Sequence, residues 1–233
     1  MAHMQLIRNI KQQLKAQANP TAAIKMQAYM KSAMPYYGVK TPALRTICRD
    51  SLARYALDSF QQWHDSVLTL WRNAKYREER HCAIALCEAK QYQVYQTVET
   101  LPLYEELIVT GAWWDYVDVI ASHRIRYLLR QFSKVLKPVL KDWAKNDDIW
   151  LRRASILAQL NLKQETDLRL LYACIKPSLG SDEFFLQKAI GWALRSYAWY
   201  DIGEVMHYIE QHKTKLSQLT IREALKNKGK LLA

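Results

Sequence analysis

Three residues whose side chains could do chemistry stand at equal intervals: Asp118, Arg153 and Lys188, each 35 residues from the next. The interval comes from aligning WLRRASIL (150 to 157) with FLQKAIGW (185 to 192), which puts Arg153 and Lys188 in equivalent places. The same step back from Arg153 reaches Asp118, and a further 37 residues reach His81 in ERHCAIAL. Equivalent positions on successive repeat helices project from one face of an array. Trp114 precedes Asp118 by four residues and Trp192 follows Lys188 by four, so each lies close to that same face. One groove would then hold a carboxylate, two indole faces that attract cations, and one or two cations of its own.

Other chemistries lack their residues. His3, His64, His81, His123, His207 and His212 form no H-x-x-x-H pair and no Cys/His cluster, so no metal is expected. Cys48, Cys82, Cys87 and Cys174 show no paired ligand spacing and read as buried free thiols of a reducing compartment. A glycine-rich loop to cradle phosphate is missing as well.

The elements that must position the groove are helices. Glycine and proline number six each in 233 residues, about 5% together against roughly 12% in average usage. Sandwiches, barrels and propellers need many such residues at their turns, so they are excluded. Apolar periodicity of the i, i+3, i+4, i+7 type runs almost without interruption, predicting about a dozen helices of roughly 10 to 17 residues and no strand. Cap chemistry marks the breaks: Asn19-Pro20, Thr41-Pro42, Asp147-Asp148 and Ser181-Asp182-Glu183 each place a side-chain acceptor, a proline or carboxylates at a helix start. A period of about 35 residues fits a helical-hairpin solenoid, in which one helix of each pair lines a concave face. No linker divides the chain, which reads as one domain over 4–233, with residues 1–3 an expression scar.

Charge indicates the partner. Thirty-four Lys and Arg oppose 22 Asp and Glu, a formal charge of +12. The excess is segregated: residues 78 to 118 hold eight acidic groups and two basic ones, residues 122 to 153 nine basic and three acidic. A segregated basic segment points to a polyanion, nucleic acid before membrane. No run of 18 apolar residues and no signal-peptide core is present, so a soluble, cytoplasmic protein is expected.

Four stretches carry a resemblance: YMKSAMPYYGVKTPALR (29 to 45), ELIVTGAWWDYVDVIA (106 to 121), DIWLRRASILAQL (148 to 160) and EFFLQKAIGWALRSYA (183 to 198). Long and in order, they resemble the AlkD-type DNA alkylation repair glycosylases over about residues 4 to 228. The resemblance implies an all-α, HEAT-like solenoid whose concave basic surface holds duplex DNA. It implies hydrolysis of the N-glycosidic bond of cationic alkylpurines such as 3-methyladenine and 7-methylguanine, without cofactor or obligate protein partner, by a monomer in a bacterial cytoplasm or nucleoid.

By position, the family's WWD-x-x-D pattern falls on Trp113, Trp114, Asp115 and Asp118, with Trp114 and Asp118 the functional pair. The functional arginine falls on Arg153, the second active-site tryptophan on Trp192, and a groove tyrosine on Tyr29. Trp114, Asp118 and Trp192 are thus the expected catalytic residues, and Arg153, Lys188, Tyr29 and Trp113 the expected DNA contacts. Asp118 would stabilise an oxocarbenium-like sugar and orient water, the indoles would favour a cationic base, and Arg153 would fork onto a phosphate. Lys188 as a phosphate contact rather than a Schiff-base nucleophile makes the enzyme monofunctional. The alternatives are a HEAT-like DNA-binding solenoid without catalysis and a protein-binding one. Tyr37-Gly38-Val39-Lys40-Thr41 looks like a helix-hairpin-helix loop but lacks its second glycine and reads as a helix start.

Overall fold

The structure, a computed structural model, describes residues 1–231, which are all-α with no strand among them. Among these residues there are fifteen α-helices of 4 to 15 residues, with four short 3-10 segments and one π-helical turn between some of them. Several are therefore shorter than periodicity predicts. The chain divides after Thr97 into two compact units.

The first unit holds α1 (Met4–Ala16), α2 (Pro20–Met30), α3 (Thr41–Arg54), α4 (Phe60–Arg72) and α5 (Arg77–Glu88). α1 buries Leu6, Ile7, Ile10 and Leu14, a one-sided stripe that packs on α3, α4 and α5. Trp63 and Trp71 of α4 are fully buried, and the Trp63 indole donates to the Leu86 carbonyl at 3.2 Å, so the core leaves this N–H satisfied. All four cysteines of the chain are buried and none is in a disulfide. α2 differs: Met30 is its one buried residue, and Ile24 and Tyr29 are 72% and 77% exposed. Asn19 caps it by accepting from the Ala22 N–H at 2.9 Å. The expected Thr41 cap is displaced by one residue. Thr41 is already helical, Lys40 holds the cap position without a side-chain bond, and Pro42 lies in the first turn.

The segment between α2 and α3 is held from afar. Glu78 accepts from the N–H of Gly38 at 2.8 Å and of Val39 at 3.1 Å through one oxygen, and from that of Tyr37 at 3.0 Å through the other. Glu79 beside it accepts from the Tyr37 hydroxyl at 2.9 Å and pairs with Lys11 at 3.0 Å. Gly38 has φ +85°, and a Cβ there would lie 2.1 Å from the Asn19 carbonyl oxygen, so glycine is required twice over. Glu78→Gln keeps the shape but turns an NH2 toward buried donors. It should destabilise the protein by about 2–4 kcal/mol, read by thermal melting, and accelerate hydrogen exchange at the Tyr37, Gly38 and Val39 amides.

The second unit holds α6 (Leu101–Gly111), α7 (Trp114–Val119), α8 (Arg126–Gln131), α9 (Ser133–Trp143), α10 (Ile149–Leu157), α11 (Leu168–Ile175), α12 (Phe184–Ala198), α13 (Ile202–Gln211), α14 (Gln218–Ala224) and α15 (Lys228–Leu231). α7 and α8 are continuous through a π-helical turn at Ile120–Ile125. α10 packs on α7 and on α12, and α12 on α14, while α9 packs on α11. Helices thus meet their next-but-one neighbours in two layers, the pairing of a repeat array. Asp148 caps α10 as expected, accepting from the N–H groups of Trp150 and Leu151 at 2.8 and 3.0 Å. Ser181 does not start α12. The helix begins at Phe184, and Ser181 instead accepts from the Glu183 N–H at 3.3 Å, a local turn competing with the helix. No described helix is long and apolar enough to cross a membrane.

Candidate active site

α6 is followed by Ala112, whose left-handed φ of 44° turns the chain sharply, and Trp113 comes next with extended backbone. The two adjacent tryptophans therefore diverge. Trp114 opens α7 and faces a cleft of about 330 Å³, where Asp118, Arg153, Phe184, Phe185, Lys188, Trp192 and Arg195 also lie. Trp113 is not on that wall. Its ring packs 5.4 Å from Phe185 and 6.1 Å from Trp150, in an aromatic cluster that backs the cleft.

Asp118 sits one turn after Trp114, two residues before the π-helical turn begins, and is 8% exposed. Arg153 from α10 grips it in a bidentate fork along one edge of the guanidinium: Nε donates to one carboxylate oxygen at 2.7 Å and Nη2 to the other at 2.8 Å. Nη1 donates to the Phe185 carbonyl, and Phe185 lies under the guanidinium at 6.0 Å. Three of the five guanidinium N–H donors are thereby engaged inside the protein, on a residue 4% exposed. The expected phosphate fork is thus already occupied, by Asp118. Burial pushes the Asp118 carboxyl above the ordinary aspartate range, the hydrogen bonds and charge of Arg153 pull it down, and Asp115 adds to the rise.

Trp192 and Lys188 reach the cleft from α12, as the repeat register requires. Lys188 donates to one oxygen of Glu223 at 2.8 Å, and Arg195 to the other at 2.8 Å. Hydrogen bonding from Lys188 lowers the Glu223 carboxyl below its ordinary value, partial desolvation opposes this, and Arg195 adds to the lowering. Sequence reasoning misses Glu223 although the signal is present, since one more step of 35 from Lys188 lands on it. It misses Arg195 and Phe184 too, yet they continue a helical stripe through 184, 188, 192 and 195. Tyr29 belongs to the first unit, exposed on α2. Among the described residues no group of three His, Cys, Asp or Glu could hold a metal ion.

The site is a largely apolar cleft with a forked carboxylate, two indoles and a second, cation-rich ion cluster. The chain belongs to the DNA alkylation repair enzyme family, whose model matches residues 10–227. It is similar in structure to a chain described as a predicted DNA alkylation repair enzyme from Enterococcus faecalis, with a TM-score of 0.81 and 27% identity over 90% of this chain and 96% of that one. No curated protein sequence matches it.

Proposed function

We propose that the protein is a monofunctional DNA glycosylase that hydrolyses the N-glycosidic bond of cationic alkylpurines, of the 3-methyladenine and 7-methylguanine type, in duplex DNA. The observation that carries this reading is a buried carboxylate, Asp118, held in one orientation by Arg153 and sharing a cleft with Trp114 and Trp192. An alkylated purine already bears positive charge. When its glycosidic bond breaks, the bonding pair goes to the base, which leaves neutral, and the positive charge moves to the sugar. Asp118 faces that charge and orients the water that attacks it, and the water's proton passes to solvent. Fixed charges of this kind act without reorganisation, which is why they contribute more to rate than freely moving ones.

Arg153 acts through Asp118 as a positioning residue, keeping both oxygens in place, and phosphate contact falls to Lys188 and Arg195 on the same cleft. The charge of +12 suits a duplex partner, with the exposed Tyr29 as a further contact. The indoles select the cationic base. Trp192→Ala should lower kcat/KM for 7-methylguanine about tenfold, the 1.4 kcal/mol expected within the cation–π range, with little change for an uncharged lesion.

The deciding experiment is base release from duplex DNA carrying 7-methylguanine, followed by chromatography of the free base. Release above the spontaneous rate supports the proposal. Protein that binds the duplex without releasing base would place the chain among non-catalytic DNA-binding arrays, and one with no salt-dependent affinity for DNA among protein-binding ones.

A further inference from the structure

The charged register does not stop at the residues that the glycosylase reading uses. Asp118, Arg153, Lys188 and Glu223 follow one another at steps of 35 residues, and each terminal member is paired with its inner neighbour. The first pair is sealed, with side chains 5% and 11% exposed. The second is open on one side: Glu223 is 14% exposed and Lys188 36%, and Arg195 joins it from two turns further along α12.

Two like charges on one helix face repel, and both belong to long side chains that spread into solvent when nothing holds them. Here one carboxylate receives both, one cation on each oxygen. The carboxylate reaches them because α14 approaches α12 at a glycine. A Cβ on Gly191 would lie 2.6 Å from the Glu223 Cβ and 2.9 Å from the Thr220 carbonyl oxygen. Thr220, 1% exposed, further ties the helices by donating to the Gln187 carbonyl at 3.1 Å. Gly191 immediately precedes Trp192, so the close approach that brings Glu223 in occurs at the cleft itself.

We propose that Glu223 is a positioning residue that holds Lys188 and Arg195 as a paired clamp for one backbone phosphate of the bound nucleic acid. A phosphodiester carries the same charge as the carboxylate and offers two oxygens of its own. It takes the donors that Lys188 and Arg195 leave free, three on an ammonium and five on a guanidinium before pairing. Preorganisation of the cations then outweighs the negative charge that Glu223 adds. This inference rests on the nucleic-acid side of the proposed function and not on catalysis.

The sign of one binding change tests it. Fluorescence anisotropy with a labelled undamaged duplex, near physiological salt, compares the wild type with Glu223→Gln, alone and combined with Lys188→Met and Arg195→Met. Glu223→Gln removes a negative charge, so electrostatics alone predicts tighter binding. The clamp predicts weaker binding, about three- to fivefold. Without Lys188 and Arg195 there is nothing to position, and Glu223→Gln should then tighten binding or leave it unchanged, a non-additivity that a merely structural glutamate would not give. Glu223→Asp keeps the charge but is too short to span both cations. It should weaken binding as well, and it serves if the Gln variant melts early. Binding unchanged or tightened by Glu223→Gln in the otherwise native chain, or weakened equally in both backgrounds, overturns the clamp. A wild type that binds duplex but releases no alkylated base would overturn the glycosylase reading and leave this result standing.

Discussion

Asp118→Asn should lower single-turnover release of 7-methylguanine by about 100- to 1,000-fold, the loss typical when one preorganised charge-stabilising group is removed. The substitution keeps the volume and one acceptor for Arg153 but removes the charge opposite the developing oxocarbenium. Affinity for a duplex with an uncleavable abasic analogue should not fall. The neutral amide no longer offsets the guanidinium, so the cleft gains one positive charge toward phosphate. A loss of rate without loss of binding separates a transition-state role from a binding one. Excision by the variant within threefold of wild type would remove Asp118 from the chemistry, whatever the lesion.

The sequence reveals more of this site's layer than of its bonds. A step of 35 residues places Asp118, Arg153 and Lys188 on one face, and the structure brings all three to one cleft. What the register does not specify is reach. Asp118 and Arg153 sit on α7 and α10, helices in contact, so their side chains meet and engage in each other the groups that the register alone leaves for DNA. The four-residue spacing to Asp118 singles out Trp114 but still leaves Trp113 as a candidate contact on the same groove. A left-handed Ala112 and an extended Trp113 decide which indole faces the cleft, and neither conformation has a glycine to announce it.

The same division runs through the fold. Asn19 and Asp148 cap their helices because each has its acceptor at the turn's first residue, and sequence suffices for that. Thr41 and Ser181 look equivalent, yet the chain at Thr41 is already helical, and Ser181 satisfies a turn of its own. The clamp of Glu78 on the amides of Tyr37, Gly38 and Val39 spans about 40 residues and has no periodic signature, so only the folded chain shows it.

Arg153→Gln should cost stability and shift the pH profile together. Asp118 would stay buried with its main compensating charge gone, a loss of about 3–5 kcal/mol for a broken buried pair, seen as a lower melting temperature at neutral pH. Burial already raises the Asp118 pKa, and Arg153 is what restrains that rise, so the variant's carboxyl moves further up. The sign follows. A reaction that needs the carboxylate is active above the folded-state pKa and fails as pH drops through it. The acid limb of kcat therefore lies above the ordinary aspartate range in the wild type and higher still in the variant. Stability moves the other way: protonation relieves the buried charge, so the deficit relative to wild type is full at neutral pH and shrinks as pH falls through the raised pKa. Replacing both partners with apolar residues, Asp118→Leu with Arg153→Met, should recover much of the melting temperature and none of the activity, because an apolar pair of similar volume leaves no charge uncompensated. If Arg153→Gln lowered the rate but left the acid limb in place, the arginine would be acting on the nucleic acid rather than through Asp118.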